Sequence, residues 1–460
     1  MANSLKGGPV RYDVVIVGAG PAGIFAALTL AESGVDRVLL LEQGKDLDRR
    51  DQGSPEDRLC GWGGAGAYSD GKLNLSTEIG GVLREFLPEK TLYKLLESTD
   101  RIYAEHGAPD RIFGMSSPKL ENLAVRAKVA GLELIPSRIR HIGTENCKNI
   151  LRRLRDSLKG RIGTRTETKV ERLLVQENTV TGVLLAGGGE IRSNYVIAAP
   201  GRSGAAWMKD QAEALGLGTR PTSVDIGVRV ELPAPIFKEI TDTAYESKFI
   251  HYSKTFDEKV RTFCMNPYGE VVTEESGGII TVNGHSYASK KSDNTNFAIL
   301  VSSAFTEPFD DPIAYGRYIA RLANLLGDGV IVQRLGDLLA GRRSTQKRLE
   351  RCLTKPTLPE ATPGDLSFVF PYRHMLSIIE MLQALDKIAQ GVYSMHTLLY
   401  GVEVKFYSYR IDVSPEMETA VKNLFTIGDG AGITRGLLQA SATGIIAAKA
   451  IVKRMKGYGL

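Results

Sequence analysis

What this 460-residue chain has little of narrows its chemistry first. Its four cysteines, Cys60, Cys147, Cys264 and Cys352, lie far apart and form no C-x-x-C pair, which leaves no basis for a zinc site or a disulfide framework. A formal net charge of +5 is small for the length and points to no polyanionic partner; the basic run at 152–165 fits a solvated helix face better than an RNA surface. The start, MANSLKGGPVRYD, lacks the apolar core of a secretory signal. One uncharged run, residues 14–31, has membrane length, but Gly18, Gly20, Pro21 and Gly23 split it into a buried strand and a buried helix. These absences describe a cytoplasmic chain with no membrane span, no metal and no nucleic-acid partner. With 43% hydrophobic and 24% charged residues it has the make-up of a globular enzyme, long enough for two or three domains.

What is present begins at residues 13–42, DVVIVGAGPAGIFAALTLAESGVDRVLLLE. The segment spells strand, glycine turn, helix, strand and a terminal acid. Gly18, Gly20 and Gly23 have the spacing G-x-G-x-x-G: the first permits a tight turn, the second lets backbone approach a pyrophosphate, and the third lets helix pack on strand. Pro21 and Ala22 open the helix, whose N-terminal N–H groups and positive dipole end suit the phosphates. Glu42, with Gln43 beside it, stands where a carboxylate takes the ribose hydroxyls of a dinucleotide.

A second element lies at residues 423–453, where an apolar strand enters Gly428-Asp429-Gly430 and a long helix of small residues follows. Between the two, residues 163–197 alternate apolar and polar around turn signals, an antiparallel meander ending in Ala199-Pro200-Gly201. The Gly187–Gly189 triplet reads as a hairpin turn, since no helix follows it. A second complete nucleotide-binding unit is therefore missing. This arrangement resembles the two-domain flavoproteins of the glutathione-reductase structural group. The resemblance implies FAD rather than NAD as cofactor, with Asp429 on a ribityl hydroxyl, the Gly436, Gln439 and Ala440 turn at the flavin's pyrimidine edge, and Val170 pairing with adenine through its backbone.

The loop at 59–75, LCGWGGAGAYSDGKLNL, carries five glycines, with Gly64 among those whose backbone must approach something closely. GGAGAYSDGKL, SSPKL, TFCMNPYGEVV, VNGHSY, LLYGVEVKFYS and GDGAG together resemble the bacterial and archaeal "FAD-dependent dehydrogenase" family, whose members mostly lack an assigned substrate. The fold this implies is α/β: a discontinuous glutathione-reductase-type FAD/NAD(P)-binding Rossmann domain, residues 1–216 and 415–460 with the meander inside it, and an inserted mixed α+β substrate domain at 217–414.

Candidate chemistry falls in that insert and in the glycine loop. His285 and Tyr268 are proton-donor candidates, as is the Lys405–Tyr407 pair, each with a structural role as the alternative. Lys72, the loop's only basic side chain, is either a cation beside the flavin or a surface or phosphate contact. Cys60 is either a redox thiol or a buried one, and Arg342-Arg343-Ser344-Thr345 is either an anion subsite or a surface patch. Three functions follow. The chain is an FAD-dependent oxidoreductase moving hydride between a small organic metabolite and flavin, with a separate electron acceptor. Alternatively it is an NAD(P)H-driven flavin reductase or monooxygenase, or an RNA-linked or non-redox protein that keeps FAD structurally.

Overall fold

Apolar β-branched runs and small-residue helices build the first of two compact units, residues 1–110, 144–221 and 408–460. The structure, a computed structural model, describes residues 11–51, 54–220, 222–287, 291–303, 311–405 and 409–457. Strand β1 (Arg11–Val17) passes through the glycine turn into helix α1 (Pro21–Glu32) and returns as β2 (Val38–Leu41). β1 lies parallel to β2 on one side, and β2 lies parallel to β3 (Gly163–Arg165). The hairpin of β4 (Val170–Gln176) and β5 (Thr179–Leu185) turns at Glu177 and Asn178. Both have positive φ, which matches the twist of a two-residue hairpin.

β6 (Glu190–Ala198) joins the two halves of this sheet. Its start pairs antiparallel with β5, while residues 192–198 run parallel to β1. Its other edge at Val196–Ala198 takes the strand Leu424–Thr426, also parallel. The long helix α2 (Leu437–Met455) then crosses α1 so closely that a Cβ on Gly444 would lie 2.1 Å from the Ala22 carbonyl oxygen. The meander expected from the sequence thus has three antiparallel strands; its first segment, β3, instead extends the parallel sheet.

The second unit, residues 111–143 and 222–407, is built on an eight-stranded sheet. Its central strands are β7 (Val224–Pro233), β8 (Lys259–Asn266), β11 (Asn294–Ser303) and β12 (Leu398–Lys405), and between β8 and β11 in sequence comes a ribbon, β9 (Glu270–Ser276) with β10 (Ile279–His285). The sheet order is Thr362–Pro363, Ile331–Arg334, β12, β7, β11, β8, Lys248–Tyr252, Glu133–Ile135. One face carries Ile226, Val228, Val230, Phe297, Ile299 and Val301 into a core with helix Tyr372–Asp386. Compactness divides the chain differently from the sequence boundaries 217 and 414: residues 111–143 belong with the second unit, because the strand Glu133–Ile135 pairs with Lys248–Tyr252 there.

Candidate functional site

Three distant segments of the first unit meet around the glycine turn. A Cβ on Gly18 would lie 2.2 Å from the Ala199 carbonyl oxygen, and one on Gly23 would lie 1.9 Å from that of Gly18. Both positions are closed by the protein itself. A Cβ on Gly20 would meet nothing within 4 Å, so at this one glycine the backbone faces open space. Gly64, with φ +54, approaches the Gly20 Cα, and Gly66 sits between Pro21 and Leu437, the first residues of α1 and α2. On the far side, Gly428 touches the Ala22 side chain, and Gly430 packs on Pro200 and the Gly201 carbonyl.

Glu42 holds this arrangement from beneath. Its carboxylate is buried and accepts the backbone N–H of Ala19 at 2.8 Å, Gly44 at 2.9 Å and Gly61 at 3.0 Å. Gln43 is exposed and its amide donates to the Cys60 sulfur at 3.3 Å. Val170 is buried opposite Leu185, two residues after Thr168, whose N–H donates to the Glu42 carbonyl at 2.8 Å.

Asp429 is half-buried, and the Thr434 hydroxyl donates to it at 2.7 Å. Burial pushes its carboxyl above the ordinary range, against the lowering pull of Arg202, Thr434 and Arg435. Gly436 caps α2 and faces Gly80; Ala440 donates its N–H back to the Gly436 carbonyl. The Gln439 amide donates to the Ile79 carbonyl at 2.8 Å, while its side-chain oxygen is buried without a partner. The Tyr68 hydroxyl is likewise buried and unpartnered.

The sequence reading missed Arg50. Among the described residues its buried guanidinium has carbonyls alone as hydrogen-bond partners: Asp57, Trp62 and Gly64. Burial lowers its pKa. Arg50 and Lys148 both lie over the Tyr68 ring, at 5.1 and 4.5 Å. Between Glu42 taking its N–H groups and Arg50 taking its carbonyls, the loop 61–64 is fixed in place. No motif marks Arg50; the Gly80-Gly81 pair that lines Gln439 was visible but unused.

In the second unit, polar side chains of alternate strand positions fill the sheet face opposite the core. Arg229 forms a two-pronged pair with Glu403, both contacts 2.7 Å and both side chains wholly buried. Its remaining N–H groups reach the Cys264 carbonyl, Asn296 and Asn283. Lys405 joins Glu403 at 3.0 Å, and Arg261 pairs with Asp225 at 2.5 Å. Arg261 and Lys405 both lie over the Phe263 ring. Burial, which alone would lower the Arg229 pKa, is outweighed by Glu403, and the guanidinium stays charged.

Tyr268 has φ +54 in the turn from β8 to β9, and His285 ends β10 directly across from Glu270. A Cβ on the intervening Gly269 would be 2.4 Å from the His285 carbonyl, so both proton-donor candidates sit at one end of the ribbon. Lys72, in the first unit, is nearly buried and its ammonium pairs with Asp70 at 3.0 Å. Tyr407 lies outside the described residues. Within the Arg342–Thr345 cluster, Arg342 and Ser344 both bond the buried Asp337.

The open backbone at Gly20, the half-buried Asp429 and the Gln439 and Tyr68 oxygens, which lack partners among the described residues, fit a large polar cofactor, and two family models agree. Residues 11–57 match the family model "FAD binding domain", and residues 223–406 match "FAD-dependent protein, C-terminal domain-like". A protein of Clostridium beijerinckii described as uncharacterized is 28% identical over 496 residues, covering 98% of this chain and 83% of its own. Among solved structures, an R554K variant of Aspergillus oryzae formate oxidase has a TM-score of 0.47 at 12% identity, covering 98% of this chain and all of its own. L-Proline dehydrogenase from P. horikoshii has 0.42 at 12% identity, covering 98% and 94%. By these two matches, over residues 11–57 and 223–406, the chain is similar to FAD-dependent proteins, and its cofactor is FAD.

Proposed function

We propose that the chain is a dehydrogenase that moves hydride between a small organic metabolite and flavin. FAD, when bound, supplies the two-electron chemistry. The observation that carries this reading is the meeting of open backbone at Gly20 with half-buried Asp429 and the N-terminus of α2. In this reading the N–H groups of Gly20, Ala22 and Gly23 face the pyrophosphate, while Gly18 makes the turn with its N–H on the Leu41 carbonyl, Pro21 opens the helix and Gly64 closes over it. Glu42 orders that turn through three backbone N–H groups and, with Gln43 and Val170, faces the adenosine end. Gly201, Gly428 and Asp429 hold the ribityl chain, and Gly436, Gln439 and Ala440 present the helix terminus to the ring. Lys72 keeps its loop in place through Asp70.

The second unit supplies substrate and proton. His285 and Tyr268, at one end of the ribbon, hold or move the proton that accompanies oxidation or reduction of the substrate. Anaerobic titration with NADH, NADPH and a metabolite panel, following the visible flavin band, identifies the reductant. With that reductant, His285→Asn slows flavin reduction by roughly a hundredfold or more, with FAD content unchanged. An unchanged rate removes His285 from the chemistry and leaves Tyr268.

A further inference from the structure

The second unit carries a charged surface that the flavin chemistry does not use. Residues 334–355 hold seven basic and two acidic residues, a net of +5, equal to the formal charge of the whole chain. All the rest of the protein therefore sums to neutrality. One of the two acids, Asp337, is wholly buried and draws inward Arg342 at 3.0 Å, with Arg348 and Arg334 farther off at 3.7 and 3.9 Å. Arg343, Lys347 and Arg351 are exposed and have no ion pair among the described residues.

Aliphatic side chains stand in the same place. Leu353 is 76% exposed, Met395 58% and Leu339 45%. They are neighbours: the Leu353 N–H donates to His396 Nδ1 at 3.3 Å, and the Gly336 N–H donates to the Met395 carbonyl, on the short helix that ends at Leu339. The Cys352 thiol donates to the His396 carbonyl and fastens the two segments together. Exposed leucines scattered singly mean nothing. Here three flexible aliphatic side chains share a surface with the concentrated positive charge.

We propose that this face docks on an anionic lipid surface. Cations collect beside the headgroups while Leu339, Leu353 and Met395 enter the apolar boundary, the combination that interfacial binding requires. A nucleic acid would gain nothing from aliphatic side chains in place of stacking aromatics. No helix among the described residues is long and apolar enough to cross a membrane, so the attachment is peripheral.

The test is co-sedimentation of the FAD-loaded protein with equimolar phosphatidylglycerol–phosphatidylcholine vesicles, against pure phosphatidylcholine vesicles and a heparin column. The expected result is binding to the anionic vesicles alone, released by salt. The double variant Arg343→Glu, Arg351→Glu then binds more than about tenfold more weakly, and Leu353→Ser about tenfold more weakly, both with unchanged flavin absorbance. Failure of the wild-type protein to sediment with anionic vesicles at low salt overturns the proposal. So does heparin retention with vesicle binding indifferent to Leu353→Ser, which makes the face a general polyanion or acidic-protein site.

Discussion

The two units bury carboxylates in opposite ways. Glu42 in the first unit spends its charge on three main-chain N–H groups, among glycines that let backbone pack on backbone and, at Gly20, face open space. Glu403 in the second unit spends its charge on Arg229 and Lys405, in a face packed with side chains from four strands. The first unit is organised here by main chain. The second is organised by side chains, where removing one member leaves the others uncompensated.

The strongest way to break this contrast is at the glycines. Gly20→Val places its branched side chain in open space, so the chain folds but binds FAD more than about a hundredfold more weakly. Gly23→Val drives a Cβ into the Gly18 carbonyl and the chain fails to fold. Purified yield and flavin content separate the two; a folded Gly20→Val protein with full flavin refutes the backbone site. In the second unit the sensitivity belongs to charge. Arg229→Met leaves Glu403 buried with Lys405 as its only ion-pair partner and costs about 3–5 kcal/mol in urea unfolding, while the double variant Arg229→Met, Glu403→Leu recovers most of it.

The smallest effect is a pH dependence. His374 is buried, with its Nε2 against the Ser303 hydroxyl at 3.0 Å, and burial lowers its pKa despite nearby Glu258. The folded state therefore prefers the neutral ring. As pH falls through the unfolded value of 6.5, the unfolded chain takes up the proton first and stability declines towards the folded pKa. His374→Gln flattens unfolding midpoints measured between about pH 7.5 and 5.5. A slope that survives the substitution assigns it to another group.

The same contrast explains what could be read from the sequence. Backbone sites leave glycines at fixed spacing, so the turn at Gly18–Gly23 and the Gly428-Asp429 element were legible, and FAD with them. The network of Arg229 was not, because its partner Glu403 is 174 positions away. VDIGVRVELP alternates apolar and polar residues. In the structure both faces are buried, since the polar positions meet polar positions of neighbouring strands. Residues 111–143 were misassigned for a related reason: a three-residue strand carries no periodicity, and only its partner Lys248–Tyr252 reveals where it belongs.

The edge of β6 that receives Leu424–Thr426 also sets a timetable. Ala198 leaves the ribosome long before its partner Thr426 is made, roughly ten to forty-five seconds at ordinary synthesis rates. During that interval the parallel sheet has one open edge, and Asp429 and α2 do not yet exist. The second unit, whose residues end at 407, is complete before that edge closes. In the proposed reading cofactor capture is thus the last event in making this protein, and a released chain truncated before residue 424 contains the whole second unit and holds no flavin.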